Sequence, residues 1–339
     1  MVYTDKEYMM FTLLASQYDK QQLVSEFQEY VQLIIKSVEE DVNLLSSNET
    51  RKEFITKHSI TKNKLIEELL DPDINYLGLL AIEELELLEE SNISHCSYES
   101  PEYPTKLKEI STPPLFLHWK GQFLEASGAT QSIAIIGSRV TDPRFARAIA
   151  VQAGQLFAEN GIWNHSGLAL GCDTAGHCGG IASHKHGLSK SSYTGAVLGN
   201  GLGVSIYPPE NRGLSEEILH CGGYLLSELP PSSMVKRPWL ILRDRLQSAL
   251  SDALFIVQTS INSGTFYTVH NAIKEKKPIF VWKGTGLKIP YEYMEGNYQL
   301  INRAPLPSKY RITNKMLQQA DIYGIDKPEE ILKYLLDNQ

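Results

Sequence analysis

Ala134-Ile135-Ile136-Gly137-Ser138-Arg139 decides how this chain reads. An apolar run from Ile133 to Ile136 stops at a glycine turn, and Asp142 then stands where it can cap a helix whose first position is Pro143. A strand, a glycine turn and a helix start, in that order, present backbone N–H groups and the positive end of a helix dipole to an anion. Three further loops also follow apolar runs: Ser166-Gly167, Gly199-Asn200-Gly201-Leu202-Gly203 and Asn262-Ser263-Gly264-Thr265. In one parallel sheet all four fall at the carboxyl edge, where open α/β sheets bind their ligands. The expected ligand carries phosphate.

Outward from these loops the chain alternates. Strands are expected near Leu115–Trp119, Ile133–Ile136, Ile162–His165, Gly195–Leu198, Tyr224–Ser227, Leu254–Val257 and Pro278–Trp282. Helices fill the gaps, from Pro143 to Glu159 and from near Asp173, Asn211, Pro238 and Thr265. Such alternation implies an α/β fold with a mostly parallel sheet and helices on both faces. Residues 1 to about 95 read as helical, with apolar positions such as Phe27, Val31, Ile34 and Ile35 at helical spacing and no strand signal. Pro101, Pro104, Pro113 and Pro114 mark a connector, and Asn314 to Leu336 reads as one or two short helices.

Bulk properties narrow the class. A chain of 339 residues with 42% hydrophobic content suits two globular domains. No apolar run approaches the ~20 residues that span a bilayer, and Met1 to Glu7 lacks the layout of a signal peptide. Four cysteines in a chain of this length make no disulfide framework, so a cytoplasmic protein without a membrane partner is expected. The formal net charge of −8 argues against a generic polyanion binder. Local patches steer ligands more than totals do, and basic residues gather late, at Arg139, Arg144, Arg147, Lys236, Arg237, Arg243 and Arg245.

The motifs taken in series resemble the DNA-processing protein A (DprA/Smf) family. They are Gly137-Ser138-Arg139, Ser166-Gly167-Leu168-Ala169 with Asp173 and His177, Ala196 to Gly201, and Tyr207-Pro208-Pro209-Glu210-Asn211. Ser227-Glu228, Arg243-Asp244-Arg245, Leu250-Ser251-Asp252 and Ser263-Gly264-Thr265 continue the order, from about Tyr103 to Asn302. The resemblance implies an extended Rossmann-like, doubly wound sheet that binds single-stranded DNA in natural transformation and hands it to a RecA-type recombinase. It also implies a homodimer, with no catalysis and no cofactor. Carried over residue by residue, Gly137, Ser138 and Arg139 would hold a phosphate, with Ser166 and Gly167 lining the same pocket. Arg243 and Arg245 would add charge, and Ser263, Gly264 and Thr265 a second helix-start nest. Asp173, Gly199 and Gly201 complete the predicted set. The implied division is a helical accessory domain over 1–97, the Rossmann-like domain over 98–305 and a helical tail over 306–339.

Departures from the family pattern are specific. Leu170 stands where an arginine is usual, Tyr193-Thr194 replace a basic position, Asp244 replaces asparagine, and Gln258 and Asn262 replace a glutamate and an arginine. Each lost cation is expected to weaken phosphate affinity.

Other readings of these residues stay open. Asp173 serves equally as a helix N-cap, and Arg243 with Arg245 as a solvated helix face. Cys172, His177, Cys178, His184 and His186 lack the paired CxxC spacing of a structural zinc site. His165 and Ser166 are adjacent on a strand and point to opposite faces, which makes a poor nucleophile–base couple. Two alternatives share the fold: a nucleotide-ligand sensor and a nucleoside-monophosphate phosphoribohydrolase. The second needs a carboxylate near the ribosyl centre, and the loop running to Thr268 has no glutamate there.

Overall fold

The structure, a computed structural model, describes residues 1–17, 23–60, 63–129, 131–142 and 144–338. Pro143, expected to open a helix, lies outside the described residues. The chain divides into two compact units. The first comprises Met1–Lys120, Gly199–Ser205 and Leu226–Leu242; the second comprises Gly121–Leu198, Ile206–Leu225 and Arg243–Gln339.

The first unit begins with helices α1 (Asp5–Ser16), α2 (Leu23–Glu39), α3 (Asn48–Lys57), α4 (Lys64–Leu70) and α5 (Ile74–Glu90). Strand β1 (Ser94–Ser97), the short helix α6 (Thr105–Lys108) and strand β2 (Phe116–Gly121) follow. Local chemistry starts these helices. Thr4 and Glu7 form a reciprocal capping box on α1, and the Asp73 carboxylate accepts from the Tyr76 amide, 2.9 Å, to cap α5. Tyr8 through Ala15 are all buried, so α1 lies inside this unit, packed against α4, α5 and β1. The helical reading of the first 95 residues needs one correction. Ser94 to Ser97 form an antiparallel strand against β2, with His95 opposite His118. Four residues with a single apolar member show no period, and only the partner strand makes them a strand.

The second unit contains α7 (Phe123–Ser127), β3 (Ser132–Ile136), α8 (Ala146–Glu159), β4 (Trp163–Ser166), α9 (Cys172–Lys185) and β5 (Thr194–Val197). After α10 (Arg212–His220), the chain crosses between the units in β6 (Tyr224–Ser227) and again in α11 (Arg237–Leu250). It then forms β7 (Ala253–Ile256), α12 (Thr265–Lys274), β8 (Ile279–Trp282), α13 (Tyr291–Ile301), α14 (Asn314–Gln319), β9 (Ile322–Ile325) and α15 (Pro328–Asp337). The nine strands run in the order β1-β2-β6-β5-β4-β3-β7-β8-β9. From β5 to β9 every pairing is parallel.

That run is the doubly wound order. The chain starts in the middle at β3, winds outward through β4 and β5, then restarts beside β3 at β7 and winds the other way. Strand alternation feeds two cores. Ile133, Ile135, Phe255, Val257, Phe280 and Trp282 face α8, α9 and α15. Ala134, Ile136, Leu254, Ile256, Ile279 and Val281 face α12, α13 and α14. Fully buried strands of this kind read as continuous apolar runs, as these do.

Two expectations are corrected here. The tail is not all helical: Ile322–Ile325 add a ninth strand, parallel to β8, with Ile322 opposite Ile279. The helix after Arg139 begins at Ala146, with Phe145 as its N-cap residue and no side-chain cap. Asp142 instead folds into a turn, its Oδ1 accepting from the Arg144 amide at 2.9 Å and its Oδ2 meeting the Arg144 guanidinium at 2.8 Å. A carboxylate committed two residues on is not available to cap the helix. Among the described residues no helix is long and apolar enough to cross a membrane.

Candidate functional site

The winding reverses between β3 and β7, so the crevice outside their carboxyl ends is where an open α/β sheet takes a ligand. Backbone bonds stitch the two exits together. The Ser138 amide donates to the Gln258 carbonyl at 2.7 Å, the Val257 amide to the Ile136 carbonyl at 3.0 Å, and the Ser260 amide to Ser138 Oγ at 3.2 Å. The Gln258 side chain takes part as well, its Oε1 accepting from the Asp142 amide at 2.8 Å. Gly137 is required here because a Cβ would sit 2.5 Å from Cys172 Sγ and 2.6 Å from the Gln258 carbonyl. The glycine that looked like a phosphate grip is therefore also what lets β3, β7 and the start of α9 approach one another.

Arg139 leaves this junction exposed. Across from it the β7 loop turns into α12. Ser263 Oγ accepts from the Thr265 amide at 3.3 Å and lies 2.8 Å from Thr265 Oγ1, while Gly264 is exposed and a Cβ there would meet nothing within 4 Å. One cation missed in the sequence joins the same loop. Lys309 is exposed, its Nζ donates to Asn262 Oδ1 at 3.1 Å, and it lies over the Tyr310 ring at 4.9 Å. No sequence signal marked it, because it lies beyond the expected domain end and reaches the loop only through the fold.

The exits of β4 and β5 are built differently. The amides of Gly167 and Ala169 point to Asp173 Oδ2, at 3.0 and 3.4 Å, so an internal carboxylate occupies the place of an anion. Ser166 Oγ donates to the Ile135 carbonyl at 2.7 Å, whereas His165 Nδ1 meets the Tyr224 hydroxyl at 2.6 Å. The two side chains serve opposite faces and form no couple. Arg243 is buried, and its Nη1 donates to the Gly167 carbonyl at 2.6 Å and the Val197 carbonyl at 2.5 Å. It ties the ends of β4 and β5 together. Arg245 is buried also. Asn211 donates to the Leu168 carbonyl and to Thr174 Oγ1, both 2.8 Å, holding Leu168 at a positive φ of 58°.

Charge in this second region is internal. Asp244 lies 3.2 Å from Arg243 Nε. Burial raises the Asp173 carboxyl to about 6 and the Asp244 carboxyl to about 7, against the stabilising pull of Arg243 on both. Arg139 acts on Asp244 in the same sense as Arg243, which places the exposed guanidinium within electrostatic reach of this carboxylate. His177 is buried against Thr194 Oγ1, 2.7 Å, and burial holds its imidazole down at about 3, in the neutral form.

Gly199 and Gly201 belong to the first unit. A Cβ on Gly199 would sit 2.9 Å from Leu240 Cδ2, and the Gly201 amide donates to the Ser233 carbonyl at 2.9 Å. The histidines and cysteines weighed as metal ligands sit apart: Cys172 Sγ faces the Gln258 carbonyl and His184 Nδ1 the Ser189 carbonyl. Among the described residues no group of three or more ligand side chains comes together.

Known proteins match this chain over the same region. Residues 94–316 fit the family profile of DNA recombination-mediator protein A. The chain is similar to Protein Smf of Synechocystis sp., 32% identical over 223 residues, covering 64% of this chain and 52% of the relative. It thus spans about half the length of the curated relatives it matches. The solved DNA processing protein A of Streptococcus pneumoniae superposes with a TM-score of 0.70 at 21% identity, covering 98% of both chains. The DNA processing protein A of Helicobacter pylori, studied for its single-stranded DNA binding mode, superposes at 0.55 and 23% identity, covering 72% of this chain and 97% of that one. At those identities the two structures speak to the fold.

Proposed function

The chain belongs to the DNA recombination-mediator protein A family, and from that premise we propose that it binds single-stranded DNA where β3 and β7 end. Phosphates meet the exposed Arg139 and the helix start at Ser263–Thr265, with Lys309 as an added cation. The bound strand is protected and passed to a RecA-type recombinase in transformation or recombination. The protein acts as a cytoplasmic homodimer and as a binding protein, not a catalyst.

The observation that carries the reading is the exposed guanidinium of Arg139, set at the reversal of the sheet beside the Gln258–Ser260 backbone. Hydrolysis of a nucleoside monophosphate finds no support, since α12 carries no carboxylate from Thr265 to Lys274. A nucleotide-ligand sensor is the second reading. It is favoured by the burial of Arg243 and Arg245, which leaves the edge fewer exposed cations than a long polyanion would use.

The test is fluorescence anisotropy of a labelled oligothymidylate across salt concentrations, with nucleoside monophosphates in parallel. Binding is expected at low salt, each phosphate contact contributing about −0.7 to the slope of log affinity against log salt. Arg139→Ala should weaken binding for every base sequence and flatten the slope by about one contact. Absence of oligonucleotide binding at low salt, with a nucleoside monophosphate still bound, would replace the DNA reading by the sensor.

A further inference from the structure

Helix α5 of the first unit has one face that the unit itself leaves uncovered. Tyr76, Leu79, Glu83, Glu86 and Glu90 recur at spacings of three and four, which places them along one side of a helix. Tyr76 is 56% exposed, Leu79 62% and the flanking Ile82 39%. Mobility of the helix is not the reason. Leu77, Ala81 and Leu88 are buried on its other side, and the Glu84 carboxylate accepts from the Ser232 amide at 2.9 Å and from the Ser232 hydroxyl. Leu79 also borders a cavity of about 640 Å³, lined by the apolar Met10, Leu45 and Ile74 together with Thr4, Lys6, Glu7 and Asn75.

Charge says what fits there. Glu83, Glu86, Glu89 and Glu90 are exposed, and α5 has no basic residue in its last turn. Carboxylates at a helix C-terminus face the negative end of the helix dipole and repel one another, so they cost folding stability in the free protein. A cationic partner relieves both effects. A second copy of α5 does not: side by side it sets glutamate against glutamate, and head to tail it sets glutamates against Tyr76 and Leu79.

We propose that this face docks an amphipathic helix of another protein, with a bulky apolar side chain entering the cavity beside Leu79 and lysines or arginines along Glu83–Glu90. The recognition is of the helix-on-helix kind, with a few apolar anchors giving affinity and the charges giving orientation.

The probe is a labelled synthetic peptide of α5's length, designed as a helix with leucines on one half of a face and lysines on the other. Two controls replace its lysines by glutamate or its leucines by serine. The full chain should bind the first peptide and neither control. Leu79→Glu should weaken binding about tenfold or more, equivalent to 1.4 kcal/mol. Replacing the four glutamates by glutamine should weaken it similarly and remove its salt dependence. Both variants alter exposed side chains; unchanged melting for Leu79→Glu, and melting at or above the wild-type temperature for the glutamine variant, would show that each still folds. Failure to bind the leucine–lysine peptide overturns the proposal, as does equal binding of the serine control. A dimer in sedimentation that Leu79→Glu dissociates also overturns it, assigning the face to a second copy.

Discussion

The exits of β3 and β7 and the exits of β4 and β5 share one sheet edge and one glycine-loop signature, yet they end in opposite states. At the first, Arg139 and Gly264 stay open to solvent. At the second, Asp173 fills the loop amides and Arg243 fills the facing carbonyls. A loop that offers N–H groups binds an external anion only where the protein has not supplied its own. Cation count at an edge is therefore a poor guide to ligand affinity, since a buried arginine is already bound.

The largest expected effect breaks the second region. Arg243→Ala removes the guanidinium that Asp173, Asp244 and two carbonyls share, and should cost about 3–5 kcal/mol, read as a lower urea midpoint. An unchanged midpoint with loss of oligonucleotide binding would mean that Arg243 is a ligand contact and that the two regions do not differ in kind.

Next comes a paired glycine test. Gly137→Ala meets Cys172 Sγ and the Gln258 carbonyl and should destabilise by about 1–3 kcal/mol. Gly264→Ala enters open space at a φ of −62° and should stay within about 0.5 kcal/mol of wild type. Equal melting temperatures for the two variants would show that the β3–β7 junction is looser than its geometry implies.

A smaller effect concerns pH. Asp173 and Asp244 hold their protons to about 6 and 7 in the fold, above the ordinary carboxylate range, because burial disfavours the charged form. The stability this brings is fully present at low pH, below the unfolded-state values. It is lost as pH rises through 6 and 7, because the folded state then binds more protons than the unfolded chain. Wild-type protein should therefore melt at a higher temperature at pH 5.5 than at pH 8. Asp244→Asn should flatten that dependence and add on the order of 1 kcal/mol at pH 8. On the proposed binding mode the same variant should strengthen oligonucleotide binding at pH 8 and leave it unchanged at pH 5.5, because an ionised Asp244 would oppose phosphates brought to Arg139. A pH-independent melting curve would sink this.

Arg139→Ala, like Gly264→Ala, should change stability by no more than about 0.5 kcal/mol, even where it weakens binding. A large drop in melting temperature would turn the open region into a second structural one.

Much of the fold was legible in local pattern. Ser132–Ile136, Ala253–Ile256 and Ile279–Trp282 are apolar runs closed by turns, and buried parallel strands read that way. Ser94–Ser97 and Ile322–Ile325 were not legible. Each is four residues long, and each becomes a strand only through pairing, with β2 and with β8. Of the candidate site, Gly137, Ser138, Arg139 and the Ser263–Thr265 turn were found from their place after apolar runs. Lys309 was not, because its contact with Asn262 spans 47 residues.

What the sequence determined by itself is the strand–loop–helix alternation, and with it the α/β class and the common edge of its glycine loops, because periodicity and turn chemistry act over a few residues. Which loops remain open depends on long-range packing. Whether Arg243 faces solvent or two carbonyls, and whether Asp173 caps a helix or fills a neighbouring loop, depends on which strands lie side by side. That order is set by the packing of distant segments, and no local pattern contains it.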